Sequence, residues 1–243
     1  DEASPQTLES SIKSQLPIYM PEGKPEQVAI AFTGQGRTSF AAIQEIAKAV
    51  INGAQEVMKA DLPAIIAKEF PGMEVVVCAN LPYYITSPIL MSLLEQQLPI
   101  RSITVMVQRE AARRICAPPG SRESGAISAA VRYYSEPRIL FPVSRGSFLP
   151  APEVDSSVIR LDVLSAPAVQ VKSQETFFAV VRGAFSQRRK TILNTLSAAL
   201  GLTKEELRPL LEAAGVSPGV RAEELTLPQF AAISDQLSGR AEP

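Results

Sequence analysis

Residues 74–98 read EVVVCANLPYYITSPILMSLLEQQL. The opening run, Val75-Val76-Val77, is β-branched and apolar, the pattern of a strand buried on both faces. The closing part, TSPILMSLLEQQL, repeats its apolar residues at a helical period, with Thr86 or Ser87 as N-cap and Pro88 in the first turn. A strand that turns sharply into a helix is half of a βαβ unit. The turn itself is Asn80-Leu81-Pro82-Tyr83-Tyr84. A turn needs Asn or Pro, but it does not need two aromatic rings behind them.

The same alternation extends on both sides. VAIAF (28–32) reads as a strand, TGQGRTS as a Gly-rich turn and FAAIQEIAKAVI (40–51) as a helix. LPAIIAKEF (62–70) is a helix, ITVMVQ (103–108) a strand and REAARRICA (109–117) a helix. This order predicts a mostly parallel sheet covered on both faces. GAISAAVRYYSE (125–136) reads as helix running into strand. RILFPVS (138–144) and SSVIRLDVL (156–164) are strands with little helix between them, which predicts antiparallel pairing at one sheet edge.

From about residue 173 the pattern is helical only: ETFFAVVRGAFSQ, RKTILNTLSAALG, TKEELRPLLEAAG and LPQFAAISDQL. Gly201 and Gly215 stand where C-caps belong, and Thr203 opens a capping-box sequence. The expected organisation is an atypical segment 1–27, an α/β domain 28–168 and a helical domain 169–243.

The 243 residues include no histidine and only two cysteines, Cys78 and Cys116. That excludes Ser-His-Asp and Cys-His catalysis, a disulfide framework and a Cys zinc cluster, and both thiols are expected to be inert. No apolar run reaches the ~18 residues of a membrane span, and the acidic, polar start matches neither a signal nor a transit peptide, so a cytoplasmic location is expected. Charge is uneven. Residues 1–100 hold 6 Lys and Arg against 11 Asp and Glu, 101–190 hold 14 against 7, and 191–243 hold 4 against 7. The basic middle predicts an anionic partner on one face.

In an open α/β sheet, ligands bind beyond the carboxyl ends of the strands. There Asn80 offers an amide oxygen and Leu81 a carbonyl, while Pro82 shapes the turn and Tyr83 supplies a flat ring. Two acceptors beside an aromatic face suit a planar amine such as adenine. An amine held this way directs its lone pair at an electrophile, with no strong base required. Phe148, in SFLPAPEVDSS (147–157), precedes two stiffening prolines and offers a second ring. A base stacked between Tyr83 and Phe148 gains roughly 1–3 kcal/mol per stacking contact. That offsets the few kcal/mol needed to extract it from a nucleic-acid stack.

Three blocks, NLPYYITSPIL, FLPAPEVDSSVIRL and FFAVVRGAFSQRRKTILNTL, together resemble the bacterial small-subunit rRNA adenine N6,N6-dimethyltransferases. The likeness runs from about Gln55 to Leu237. The related macrolide-resistance methyltransferases of large-subunit rRNA share the first block, whereas the SQRRKTILNTL block looks more like the small-subunit group. The resemblance implies a Rossmann-like S-adenosylmethionine-dependent methyltransferase domain followed by a small C-terminal helical RNA-binding domain. It implies methylation of two adjacent adenines in an rRNA hairpin loop, by a monomer acting on small-subunit rRNA or the immature small subunit, with no membrane and no metal. By the same resemblance Asn80, Leu81, Pro82 and Tyr83 are catalytic, and Tyr83 and Phe148 sandwich the base. Arg188, Arg189 and Lys190 touch phosphates, helped by Arg109, Arg113 and Arg114 on another helix.

The first 53 residues depart from that pattern. In place of an E-x-G-x-G-x-G loop stands Phe32-Thr33-Gly34-Gln35-Gly36-Arg37-Thr38, which keeps only two of the glycines and lacks the acid. A lone G-x-G is weak evidence for a cofactor loop. Glu56 stands where an Asp usually meets the cofactor adenine. The cofactor-binding residues expected are therefore Gly34, Gly36, Glu56 and Asn80. FTGQG is also similar to the opening of polyketide-synthase acyltransferase domains, but no G-H-S-x-G motif follows. Two alternatives stay open: a methylation-incompetent RNA-binding relative acting in ribosome assembly, and an enzyme acting on a small-molecule amine.

Overall fold

A computed structural model describes residues 27–32, 61–70, 74–81, 83–148 and 152–239. Its centre is a five-stranded mixed sheet. In chain order the strands are β1 (Gln27–Phe32), β2 (Glu74–Asn80), β3 (Ile100–Gln108), β4 (Ser135–Val143) and β5 (Ser156–Val163). In space they lie β1-β2-β3-β5-β4. The β1–β2 and β2–β3 pairs are parallel, and β5 runs antiparallel to both β3 and β4. The expected antiparallel edge is therefore present, and four of the five strands point the same way.

This topology brings several chain segments to one edge of the sheet. Asn80 closes β2, Gln108 closes β3 and Val143 closes β4. Ser156 opens β5 and lies in register with both Gln108 and Val143. The carboxyl ends of three strands and the start of a fourth thus converge, the position at which open α/β sheets hold ligands.

Alternation explains how the sheet is buried. Ile103, Val105 and Val107 of β3 face the same side as Ile159 and Leu161 of β5, all at most 1% exposed. Two helices supply further core residues before β3. Helix α1 (Leu62–Glu69) buries Leu62 and Ile66 and is capped by the Asp61 carboxylate, which accepts from the Ala64 N–H at 3.0 Å. Helix α2 (Thr86–Glu95) buries Ile89, Leu90, Leu93 and Leu94, a stripe at helical spacing. Its start differs from expectation. The N-cap is Ile85, with no side-chain cap, because the 3₁₀ turn Tyr83–Ile85 leads straight into the helix.

Helices α3 (Arg109–Cys116) and α4 (Ala126–Tyr134) follow β3. Four more close the chain: α5 (Gln174–Ala184), α6 (Ile192–Leu200), α7 (Lys204–Ala213) and α8 (Leu227–Ser238). Thr203 and Glu206 form the expected capping box of α7, and Gly201 ends α6 at φ 68°, a left-handed conformation that glycine adopts without strain. Helices α5 and α6 approach closely at Gly183, where an added Cβ would lie 2.8 Å from the Ala199 Cβ.

Residues 164–173 contain neither helix nor strand, yet they do not separate two cores. A single cluster of buried residues runs from β2 to α8. At the junction Tyr133 packs on Phe177 with ring centroids 4.8 Å apart, and Tyr134 stacks on Phe178 at 5.8 Å. The Leu164 and Ala168 N–H groups donate to the carbonyls of Tyr134 and Tyr133, each at 2.9 Å.

Candidate functional site

The site is built from the backbone outward. β2 ends at Asn80, whose side chain is exposed, while Leu81 is buried and anchors the turn from below. The Leu81 N–H still donates to the Met106 carbonyl at 3.3 Å, so β3 holds the turn one residue beyond the strand. Tyr83 opens the 3₁₀ turn. Its hydroxyl lies 2.7 Å from Oγ of Ser156, which is fully buried. That bond spans 73 residues of sequence and ties the turn after β2 to the start of β5. Tyr84, by contrast, is 80% exposed.

Beside this edge opens a cleft of about 940 Å³, lined by five arginines (Arg109, Arg113, Arg114, Arg145 and Arg188) and four carboxylates (Glu110, Glu123, Glu153 and Asp155). Gln108 also lines it, the residue in register with Ser156. The cleft and Tyr83 are therefore neighbours through Ser156. The Arg109 guanidinium lies 3.4 Å from Asp155 Oδ2, and Arg114 pairs with Glu110 at 2.6 Å. Arg188 donates to the Arg122 carbonyl at 2.8 Å. All these guanidinium groups are at least half exposed or lie on exposed residues, so their ion pairs are weak and exchangeable.

The structure brings Arg109, Arg113, Arg114 and Arg188 into one cleft. Arg189 and Lys190 are exposed but do not line it. The basic run also lies in a turn rather than at a helix start: Lys190 N–H donates to the Gln187 carbonyl, and α6 begins only at Ile192 with Thr191 as N-cap. Phe148 is half-buried and follows the 3₁₀ turn Arg145–Ser147, its N–H donating to the Arg145 carbonyl at 3.3 Å. Pro82, Gly34, Gly36 and Glu56 lie outside the described residues.

Sequence reasoning missed Arg145, Asp155 and Ser156. All three lie in SRGSFLPAPEVDSS, but two of the groups they bind, Tyr83 and Arg109, lie elsewhere in the sequence.

The cysteines offer no competing chemistry. Burial pushes the Cys78 thiol up, with Arg160 opposing, and pushes Cys116 up to about 11, with Arg132 opposing. Both are free, and neither is poised as a thiolate. Among the described residues no cluster of His, Cys, Asp and Glu is arranged to hold a metal, and no helix is long and apolar enough to cross a membrane.

Comparison with known proteins gives two matches to family models. The ribosomal RNA adenine dimethylase model matches residues 47–238, and the ethanolamine utilisation protein EutA model matches residues 1–77. The chain is 46% identical over 190 residues to ribosomal RNA small subunit methyltransferase A of Alkaliphilus oremlandii, covering 78% of this chain and 66% of that one. It is 47% identical over 187 residues to the same-named protein of Geobacillus thermodenitrificans, covering 75% and 64%. The matched region thus spans slightly less than two thirds of these relatives. Among solved structures, a dimethyladenosine transferase from Plasmodium falciparum superposes with TM-score 0.54 at 22% identity, covering 74% of this chain and 76% of that one. The 23S rRNA methyltransferase ErmE superposes with TM-score 0.56 at 18% identity, covering 97% and 98%. These likenesses establish the Rossmann-like methyltransferase fold.

Proposed function

Because the chain belongs to the ribosomal RNA adenine dimethylase family, we propose that its carboxyl-edge site holds an adenine of small-subunit rRNA and presents the exocyclic amine for N6 methylation. Two adjacent adenines of a hairpin loop are the substrate. The Asn80 amide oxygen and the Leu81 carbonyl accept the two amine hydrogens. The nitrogen lone pair then points away from both acceptors, toward an electrophile. Tyr83 and Phe148 stack on the two faces of the base and keep water from it. Arg109, Arg113, Arg114 and Arg188 hold backbone phosphates along the cleft, with Arg189 and Lys190 reaching phosphates farther out. Residues 28–168 act as the methyltransferase domain and 169–243 as an RNA-binding helical domain. The protein works as a cytoplasmic monomer on the immature small subunit.

S-adenosylmethionine supplies a methyl group on a positively charged sulfur. The described part of the fold fits it: β1 and β2 run parallel and end side by side, with Phe32 against Ala79, so the carboxyl end of β1 lies beside that of β2. Gly34, Gly36 and Glu56 are the residues proposed to hold it.

The observation that carries this reading is the exposed Asn80, at a strand end fixed by Tyr83 and Ser156, beside a cleft of five arginines. One observation favours a second reading, a relative that docks on rRNA without methylating it. Residues 1–46 fall outside the dimethylase match and within the EutA match, and the Gly-rich loop lies there. Calorimetric titration with S-adenosylmethionine separates the two. Micromolar binding supports the enzyme. No binding, alone or with an rRNA hairpin present, leaves the RNA-docking relative. Replacing Arg113, Arg114 and Arg188 together with Ala should weaken hairpin binding and flatten its log–log salt dependence by about 2, since each single-strand phosphate contact contributes roughly 0.7. An unchanged slope removes these residues from the phosphate contacts.

A further inference from the structure

The two aromatic groups assigned to the target base sit on segments far apart in sequence, and one dipeptide joins them. Asp155 Oδ1 accepts from the Arg145 N–H at 3.1 Å, fixing the first residue of the turn that leads to Phe148. Asp155 Oδ2 faces the Arg109 guanidinium at 3.4 Å, and the Asp155 carbonyl accepts the Arg109 N–H at 3.0 Å. The next residue, Ser156, holds the Tyr83 hydroxyl. Arg145 also donates from its guanidinium to the Glu153 carbonyl at 3.3 Å, closing the base of the same loop.

We propose that Asp155 is a positioning residue that sets the spacing of the Tyr83 and Phe148 rings, and that its carboxylate also restrains Arg109 until an RNA phosphate takes its place. This rests on the target-base reading above. Asp155 touches neither the base nor the methyl donor. It acts through three neighbours: Arg145 for the Phe148 side, Ser156 for the Tyr83 side and Arg109 for the phosphate side. Its carboxylate is about 40% exposed, so it exchanges partners at little cost.

The arrangement makes two effects diverge. Removing the carboxylate loosens the Phe148 turn, so stacking on the target base weakens. The same change frees a cation in the cleft, so attraction for the RNA backbone rises. A residue that mattered only for folding would lower both together.

The test uses the full chain and an RNA hairpin with two adjacent loop adenines, both keeping their N6 amines, and the fluorescent base 2-aminopurine placed next to them in the loop. Emission reports stacking, and anisotropy of an end label reports affinity. The wild-type chain should change the emission on binding. Asp155→Ala should lose most of that change while affinity holds or tightens, by up to about fivefold, the range an exposed ion pair is worth. Asp155→Asn keeps an oxygen for the Arg145 N–H and should retain the emission change while gaining affinity. This variant carries the test should Asp155→Ala not fold. Wild-type emission from Asp155→Ala, emission lost in Asp155→Asn, or a parallel loss of emission and affinity in either variant overturns the proposal. A wild-type chain that binds the hairpin with no emission change removes the target-base reading, and the positioning role falls with it.

Discussion

The sheet edge and the C-terminal helices are held together by different means. At the edge, the contacts are few, polar and partly wet: Tyr83 to Ser156, Asp155 to Arg145, Arg109 to Asp155. In the helices, Phe177, Leu196, Leu207, Leu211, Phe230 and Ile233 are at most 1% exposed, and capping boxes close α7 and α8. The difference teaches where stability and binding can be separated. Loosely tied, half-exposed groups can change partners, whereas a close-packed interior cannot.

Four experiments press on that contrast. Phe230→Ala empties a fully buried site against Phe185 and should lower stability by about 3–5 kcal/mol, read by urea unfolding. At a temperature where the variant stays folded, hairpin affinity should barely move. A selective loss of affinity would dissolve the distinction. Asn80→Ala should do the reverse. Methyl transfer should fall by about 100–1,000-fold, as when one preorganised polar contact to a reacting group is removed. The urea midpoint and RNA affinity should stay near wild type. Should RNA affinity collapse instead, Asn80 holds the backbone rather than the amine.

Gly183→Ala should sharpen the picture of the helices. The new methyl meets Ala199 and Leu196, and the overpacking should cost about 1–3 kcal/mol. Adding Ala199→Gly should restore most of it, and a failure to restore would place the strain elsewhere. The smallest effect near neutrality is a pH dependence. Burial, with help from Glu95 and Tyr133, pushes the Tyr134 hydroxyl from 10.0 up to about 12, and Cys116 rises from 9.0 to about 11. Both are held neutral in the fold. Their contribution to stability is therefore complete below pH 9 and is lost as pH rises from 9 to about 12. The urea midpoint should decline across that window, and Tyr134→Phe should flatten its upper part.

Much of this architecture was legible in the sequence because the responsible signals are local. The Val75–Val77 run, the stripe in α2 and the glycine at 201 each fix their own element. The helix-to-strand junction at Tyr134 and Ser135 was readable for the same reason. In the candidate site, Asn80 and Tyr83 stood out because two rings after a strand-ending Asn have no turn-forming purpose. The convergence of Arg109 and Arg188 in one cleft was expected only as a shared role, since cleft geometry depends on how elements pack. Asp155 was invisible for a related reason. Its meaning lies in three partners at different sequence distances, and no window of consecutive residues contains them all. The turn at 188–190 was misread because Arg and Lys have high intrinsic helix propensity, and only Thr191 as the cap places them outside the helix.

The last two carbonyls of α4, at Tyr133 and Tyr134, are claimed by the connecting segment at Ala168 and Leu164, and the same two rings are wedged against Phe177 and Phe178. The connection is riveted at both its backbone and its side chains. Arg188, carried beyond α5, consequently stands at a set reach from Arg109. On the proposed reading, an RNA loop meets these two guanidinium groups at a spacing that the packing of α4 on α5 has already set.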